Sequence, residues 1–307
     1  MSSKTQKTLS VALKHFCFSR HVAANIKRQV KLAEILSPLK KRGLISYRTY
    51  FIHLFSYISR SFGTQHKAAA LANHYSYLQK KLDNNKLEKL FKDSVECFVE
   101  FVGSDKYSIE LSFSSYLEFE GSWLLCFNLN GVCLSSLTLT VVPGKLFNIE
   151  DENVMYVSCV QRDGSQLANC SKAKKYFKNI SLSTLLMAAL EGVVTGLQIK
   201  KAVGISARNQ VSLNNEAEYE KFNPVYDQLW INNGAEPIAG DYLLTFPLPQ
   251  KSITDIPKNQ RDAVLTKQAK LDEICKASHT AILGLLPQRI VTVKYTKEDV
   301  AVGEPIS

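Results

Sequence analysis

One stretch restricts this chain more than any other. Residues 154–211 read VMYVSCVQRDGSQLANCSKAKKYFKNISLSTLLMAALEGVVTGLQIKKAVGISARNQV. An apolar run at Val154–Val160 ends in the charged turn Gln161-Arg162-Asp163-Gly164. A connector follows, then a helical pattern at Leu182–Gln198 and a second apolar run at Ala202–Ala207. That order is strand, turn, helix, strand, and both strands are apolar enough to be buried on two faces. In α/β units ligands bind where a strand ends and a helix begins. The segment therefore predicts the middle of a sheet, and its turn is the first place to look for a site.

The flanks fill in the rest. Ser108–Tyr116 alternates with period two, and Trp123–Leu129 and Val132–Val142 read as strands joined by Asn130-Gly131, a strong hairpin signal. Before them the period is helical: Val22–Leu36, limited by Pro38, then His66–Leu82 and Leu87–Phe101, with Asp83-Asn84-Asn85 as the turn between. Leu44–Ile58 (LISYRTYFIHLFSYI) reads as a helix apolar around nearly its whole circumference, with Arg48 and His53 as exceptions. It is too short to span a bilayer. It is either a core helix or an interfacial one with its aromatic residues at headgroup depth. After the central segment, Asn214–Glu220 is an acidic connector and Tyr226–Trp230 a short helix or turn. Asp241–Pro249 reads as an edge strand, because Pro247 and Pro249 cannot donate to a ladder. Lys258–His279 is a helix and Ile290–Tyr295 a strand-like segment. The sum is an α+β fold, a mostly antiparallel mixed sheet with flanking helices, preceded by an N-terminal helical segment. Three parts are expected: a basic, aromatic helical segment over residues 1–65, an α+β domain over 66–285, and a strand and tail over 286–307. A hairpin leading into strand–helix–strand is also the order of the GNAT-type acyltransferase fold, which is analogy of architecture and not of activity.

Charge is unevenly placed. The formal net charge is +10, yet residues 1–60 carry 12 Lys and Arg against the single acid Glu34, a local balance of +11. The remainder is close to neutral, with 26 basic and 27 acidic side chains. Such asymmetry suggests an anionic membrane surface or an acidic protein as partner for residues 1–60, the plain alternative being a solvated helical face. Nucleic acid is the weaker third choice, since no recognition motif accompanies the charge. No run reaches the ~20 apolar residues of a membrane span, and the first 20 residues lack the apolar core of a secretory signal. The seven cysteines (17, 97, 126, 133, 159, 170, 275) form no CxxC and no Cys/His ligand set. Neither a metal nor a disulfide framework is expected, and a reducing cytoplasm fits. Cys126 and Cys159 sit in apolar runs, where a free cysteine is usually a small hydrophobe.

Candidate site residues follow from position and chemistry. Gln161, Arg162, Gly164 and Ser165 lie at a strand end, where backbone N–H groups beside a glycine and one arginine could hold a phosphate. The turn is neither a Walker loop nor a GxGxxG fingerprint, so a plain surface turn is the alternative. His74, beside Tyr75 on a helix, titrates near neutral pH and could carry a proton, or simply pack. Asp227, next to Tyr226 in YDQLW, could act as a general base with the tyrosine as a partner, or cap its helix. Trp230 is a core anchor or a ligand platform. Lys172, Lys174, Lys175 and Lys178, with Tyr176 and Phe177 between, could contact phosphates and stack a base, or form a solvated connector. No GxSxG elbow surrounds Ser165, Ser171 or Ser181.

Several segments taken in order resemble a known family. LANHYSYL (Leu71–Leu78), EGSWLLCFNLNGVCLSSLTL (Glu120–Leu139), the central segment, YDQLWINNG (Tyr226–Gly234) and FPLPQKSITDIPKNQRDA (Phe246–Ala263) are similar to the VirK-like, domain-of-unknown-function 535 family of bacteria. The resemblance covers roughly residues 70–278, with His74, Tyr75, Glu120, Gly121, Gly164, Asp227, Trp230 and Gly234 at matching positions. It implies a cytoplasmic protein, or one peripheral on the inner membrane. It also implies links to virulence, to placement of a surface protein on the envelope and to resistance against antimicrobial peptides. It implies no settled reaction. Two departures stand out. CVQRDGS keeps one glycine where the family has a glycine-rich turn, and a basic cluster is thinned to Lys258, Arg261 and Lys267. Two functions are therefore expected in competition. One is an envelope-associated accessory protein. The other is an acyltransferase moving an acyl group from acyl-CoA or an acyl-carrier protein to an amine or hydroxyl, which would need an open splay between two strands beside Gly164, lined with donors.

Overall fold

The computed structural model describes residues 22–113, 119–213, 215–249 and 256–287. The Ile290–Tyr295 segment, residues 1–21, Ser114–Tyr116 and Asn214 lie outside the described residues. The chain is α+β, as expected. Eight strands form one mixed sheet in the order β1-β2-β3-β4-β5-β6-β8-β7. They are β1 (Val95–Val102), β2 (Asp105–Phe113), β3 (Trp123–Leu129), β4 (Val132–Pro143), β5 (Asn153–Arg162), β6 (Lys201–Gly204), β7 (Glu236–Ile238) and β8 (Asp241–Thr245). Among the described residues every pairing is antiparallel except β5 with β6. The helices are α1 (Val22–Lys41), α2 (Thr64–Lys81), α3 (Asn84–Lys92), α4 (Leu167–Tyr176), α5 (Leu182–Gly196), α6 (Glu216–Phe222), α7 (Asp227–Asn232) and α8 (Arg261–Leu283).

Alternation decides which face is covered. In β2, Tyr107, Ile109 and Leu111 are buried while Ser108 and Glu110 take the opposite face. Tyr107 stacks on Tyr176 at 5.0 Å, at the end of α4, and meets Phe177 edge-on at 5.5 Å. Phe127 of β3 also meets Phe177, at 5.6 Å. The apolar face therefore lies under the helices. The other face is polar at the β1–β3 side, where Ser108 and Ser94 both donate to the Glu110 carboxylate. α5 is buried nearly all round, consistent with a helix apolar on every side, and it packs along α8. Leu32, Leu36 and Leu39 of α1 join the same core as the sheet.

α1 runs through Pro38 to Lys41 and is not limited by it, and three further expectations are corrected. Leu44–Ile58 is not a helix. It forms two 3-10 turns, Tyr47–Tyr50 and Ile52–Leu54, joined by irregular chain, with Ile45, Ile52, Tyr57 and Ile58 in the core. Its β-branched and aromatic residues lose side-chain freedom in an α-helix, and tertiary burial does not require one. Leu87–Phe101 is also not one helix. α3 begins after the Asp83 cap, whose carboxylate accepts from Asn85 and Lys86 N–H, and ends before Asp93. VECFVEFV then runs as β1, as β-branched and aromatic residues favour. Finally, β8 is not an edge strand. It pairs with β6 on one side and β7 on the other, and Pro247 and Pro249 lie past its end. The connector after the central turn contains α4, which the sequence pattern did not separate from loop. Lys172 of α4 pairs with Asp105 at 2.6 Å and Tyr176 donates to Glu100 at 2.7 Å, so this basic stretch is tied to the sheet. Among the described residues no helix is long and apolar enough to cross a membrane.

Candidate functional site

The site is built where the parallel pair β5–β6 comes apart. β5 pairs with β6 through Met155–Ala202, Tyr156–Val203 and Val157–Gly204, and Ile205 N–H then bonds Val157 O at 2.9 Å. Beyond that point β6 has ended, while β5 continues to Arg162, still paired on its other edge with Ser135–Leu137 of β4. Ser158 is an extra, bulged residue, because Thr138 pairs with Cys159 and Leu139 with Val157. The β5 edge from Ser158 onwards thus faces a splay.

Side chains serve that edge in place of a strand. The Gln210 amide, fully buried, donates to Ser158 O at 3.1 Å. The Tyr226 hydroxyl accepts from Val160 N–H at 3.3 Å and lies 3.5 Å from Cys159 Sγ. Burial, and then the neighbouring Cys159, raise the Tyr226 pKa well above the usual phenol value. Burial likewise raises that of Cys159, with the Glu120 carboxylate as a second cause. Glu120 reaches this place with its carboxylate, beside Cys159, and with its backbone. Its carbonyl accepts from Thr138 Oγ1 at 3.0 Å and from Ser158 Oγ. Gly121 follows it because a Cβ there would sit 2.9 Å from the Thr138 side chain.

The far wall is a pinned loop. Trp230 of α7 lies against Gly204, where a Cβ would fall 2.4 Å from the indole ring, and its Nε1–H bonds Ile205 O at 2.7 Å. Asp227 Oδ1 accepts from Ala207 N–H at 2.8 Å. Asp241 accepts from Ser206 N–H and Asn209 Nδ2, each at 2.8 Å, and from the Tyr156 hydroxyl at 3.1 Å. Burial raises both carboxyl pKa values.

The expected site residues fall into three places. Tyr226 and Asp227 flank the splay. Gln161, Arg162 and Gly164 line an open cleft of about 390 Å³ with Cys133, Ser135, Ser136 and Asp163. In that turn Asp163 already accepts from Ser165 N–H at 2.9 Å and from Ser165 Oγ at 2.7 Å. The turn is thus capped by its own carboxylate, and Arg162 is its cationic group. His74 lies elsewhere. It is fully buried, and its Nδ1 accepts from Val141 N–H at 3.1 Å, near the far end of β4. Burial pulls its pKa down to about 3, so the ring is neutral. Its Nε2 and the nearby Trp123 Nε1 have no hydrogen-bond partner, the two rings meeting edge-on at 5.1 Å. Sequence reasoning missed Gln210 as a strand surrogate and the grouping of Glu120, Cys159 and Tyr226. Glu120 was visible only as a family-matching turn position, and Cys159 only as a small hydrophobe. Among the described residues no cluster could hold a metal ion.

Fold and site together define an α+β protein with a strand splay between β5 and β6 and an open cleft at the turn that ends β5. The chain matches the family described as Protein of unknown function (DUF535) over residues 10–280, and it belongs to that family. No curated protein and no solved structure matches it.

Proposed function

We propose that this chain transfers an acyl group from a CoA or acyl-carrier thioester to an amine or hydroxyl, with the donor lying along the open edge of β5. The observation that carries this is the splay: β5 outlasts β6, and Val160 N–H is served there by a tyrosine hydroxyl rather than by a strand. A buried N–H that must have an acceptor is ready to take a substrate carbonyl instead. In this reading the acceptor nitrogen or oxygen attacks the thioester carbon, and Val160 N–H holds the carbonyl oxygen as charge builds on it. The C–S bond breaks, Tyr226 gives its proton to the departing sulfur, and Glu120 takes the proton of the attacking group. Asp227 keeps the facing loop in place through Ala207 N–H. Arg162 meets donor phosphates at the rim. An antiparallel run, one parallel pair joined through helices and a C-terminal hairpin beside it also support the GNAT-type order expected from sequence.

A thermal-shift screen against acyl-CoAs of graded chain length, and against an acylated carrier protein, tests the reading. Donor at 100 times its dissociation constant adds about 2.7 kcal/mol of stability. No stabilisation by any donor would remove the proposal.

A second reading rests on α1. Ile26 and Val30, about half exposed, lie one turn apart with the exposed Lys27 and Lys31 beside them. This face supports docking of the N-terminal segment on an anionic membrane surface, in keeping with the envelope setting that the VirK-like resemblance implies. Vesicle flotation decides it: recovery with anionic but not neutral vesicles is expected, and equal recovery with both would refute it.

A further inference from the structure

The β3–β4 hairpin carries two cysteines on the face turned away from the helices. Phe127 points into the helical layer, so its neighbour Cys126 points the other way. β4 is bulged opposite: Phe127 pairs with Ser135 and Asn128 with Cys133, leaving Leu134 as the extra residue. The bulge brings Cys133 to Cys126, with 2.6 Å between the sulfurs. A covalent S–S bond is about 2.05 Å, so little motion separates this pair from one. Both are free thiols here. Access is unequal. Cys126 is 7% exposed, whereas Cys133 is half-buried and lines the open cleft beside Arg162 and Gly164.

We propose that Cys126 and Cys133 form a reversible dithiol–disulfide pair, oxidised first at Cys133 by small hydroperoxides and closed by Cys126. The Cys133 thiolate attacks the peroxide, forming an S–O bond as the O–O bond breaks and an alcohol or water leaves. The product is a sulfenic acid. Cys126 loses its proton and attacks Cys133 Sγ. The S–S bond forms, the S–O bond breaks and water leaves. Two thiols and one hydroperoxide thus give one disulfide, one alcohol and one water, with sulfur oxidised and peroxide oxygen reduced. The order follows from access and from acidity. The Cys126 thiol stabilises the Cys133 thiolate and lowers its pKa, while that of Cys126 itself is raised. Burial raises the pKa of Cys97, Cys159, Cys170 and Cys275, so these are poorer targets. The cross-link lies in the wall of the cleft that holds Arg162, and a donor bound there meets a different wall in each redox state.

The test uses the full chain, reduced and then exposed to hydrogen peroxide. Remaining thiols are blocked after denaturation and the peptides mapped by mass spectrometry. A Cys126–Cys133 link is expected at least tenfold faster than oxidation of Cys97, Cys159, Cys170 or Cys275, and dithiothreitol should remove it. In Cys126→Ser, dimedone should tag Cys133. In Cys133→Ser, Cys126 should stay unmodified over the same time. A link of either residue to another cysteine, a link no faster than oxidation of those four, or tagging of Cys126 in Cys133→Ser as fast as of Cys133 would overturn the proposal. Mapping of the unsubstituted protein decides the first two outcomes without any variant.

Discussion

At two places in this sheet, one on β4 and one on β5, a strand runs on after its neighbour has stopped and side chains from other elements take over the ladder. β4 outlasts β3, and at Val141 the His74 ring accepts the N–H while the Asn73 amide donates to the carbonyl at 3.2 Å. β5 outlasts β6, and there Tyr226 accepts from Val160 and Gln210 donates to Ser158. The first replacement sits on an 18-residue helix, its histidine fully buried and its asparagine half-buried. The second comes from short elements and loops: Gln210 follows a 3-10 turn and Tyr226 precedes the six-residue α7, both side chains buried. Equal hydrogen bonding therefore rests on unequal support: the first on one long helix, the second on short segments, and it is the second that the acyl-transfer reading asks to give way to a substrate.

The largest effect should come from breaking the β4 replacement. His74→Ala leaves Val141 N–H buried without an acceptor and opens a cavity among Trp123, Phe113 and Tyr75. A loss of about 3 kcal/mol in denaturant unfolding is expected. The same residue sets a pH dependence. The folded pKa of His74, about 3, lies below the unfolded 6.5, so only the unfolded chain takes up this proton between those values. Stability should fall as pH drops through that window, by about 1.4 kcal/mol per unit at most. At the splay the sign reverses. Asp227 and Asp241 have raised values, so their share of stability is present below the unfolded 3.8 and is lost as pH rises through the folded values. Unfolding curves at pH 4 to 7 for the parent, His74→Ala and Asp241→Asn separate the two: the histidine variant should flatten the acid loss, and the asparagine variant should steepen it.

Gly204→Ala comes next. It attacks the closed end of the β5–β6 pair, where Trp230 leaves no room for a Cβ. The expected cost is about 2 kcal/mol, read as a lower denaturant midpoint. A change below 0.5 kcal/mol would mean that the indole can shift, and that the splay is less firmly walled than its hydrogen bonds suggest.

The contrast between the two strand ends also explains what the sequence revealed. The apolar runs of β5 and β6, the Asn130-Gly131 hairpin and the all-round apolar α5 are local patterns with one good solution each, and they were legible. β1 was not, because VECFVEFV follows a helical stretch with only Asp93-Ser94 to mark the break. Leu44–Ile58 was legible as core but not as 3-10 turns, because burial and helix share a signal when residues are apolar on all sides. His74, Gln210 and Tyr226 could be flagged, if at all, as polar residues in apolar company. Their jobs depend on where strands end, which is tertiary information carried by no spacing.

Tyr226→Phe probes the second replacement directly. The ring stays, and Val160 N–H loses its acceptor, for a cost of about 1 kcal/mol. Under the acyl-transfer reading the same change also removes the proton meant for the departing sulfur. Turnover should then fall by about 100-fold with thioester donors, while donor affinity holds or improves because Val160 N–H is released. A fall in affinity with turnover unchanged would make Tyr226 a wall and not a proton carrier.

The smallest effect on stability belongs to Arg162→Ala at the exposed rim. Nothing in the core depends on this side chain, so unfolding should move by less than about 0.5 kcal/mol. Its value lies in the ratio of two donors. A CoA thioester and a short pantetheine thioester share the reactive end and differ in the distal phosphates. If Arg162 meets those phosphates, Arg162→Ala weakens the CoA donor by about tenfold and leaves the short donor unchanged, since a charge-assisted hydrogen bond contributes about 1.5–3 kcal/mol before solvent screening. Because Asp163 already caps the turn through Ser165 N–H, Asp163→Asn should strengthen the CoA donor by removing a like charge without emptying the cap. Equal effects of both substitutions on both donors would place phosphate recognition away from this turn, and would leave the open edge of β5 as the whole of the donor site.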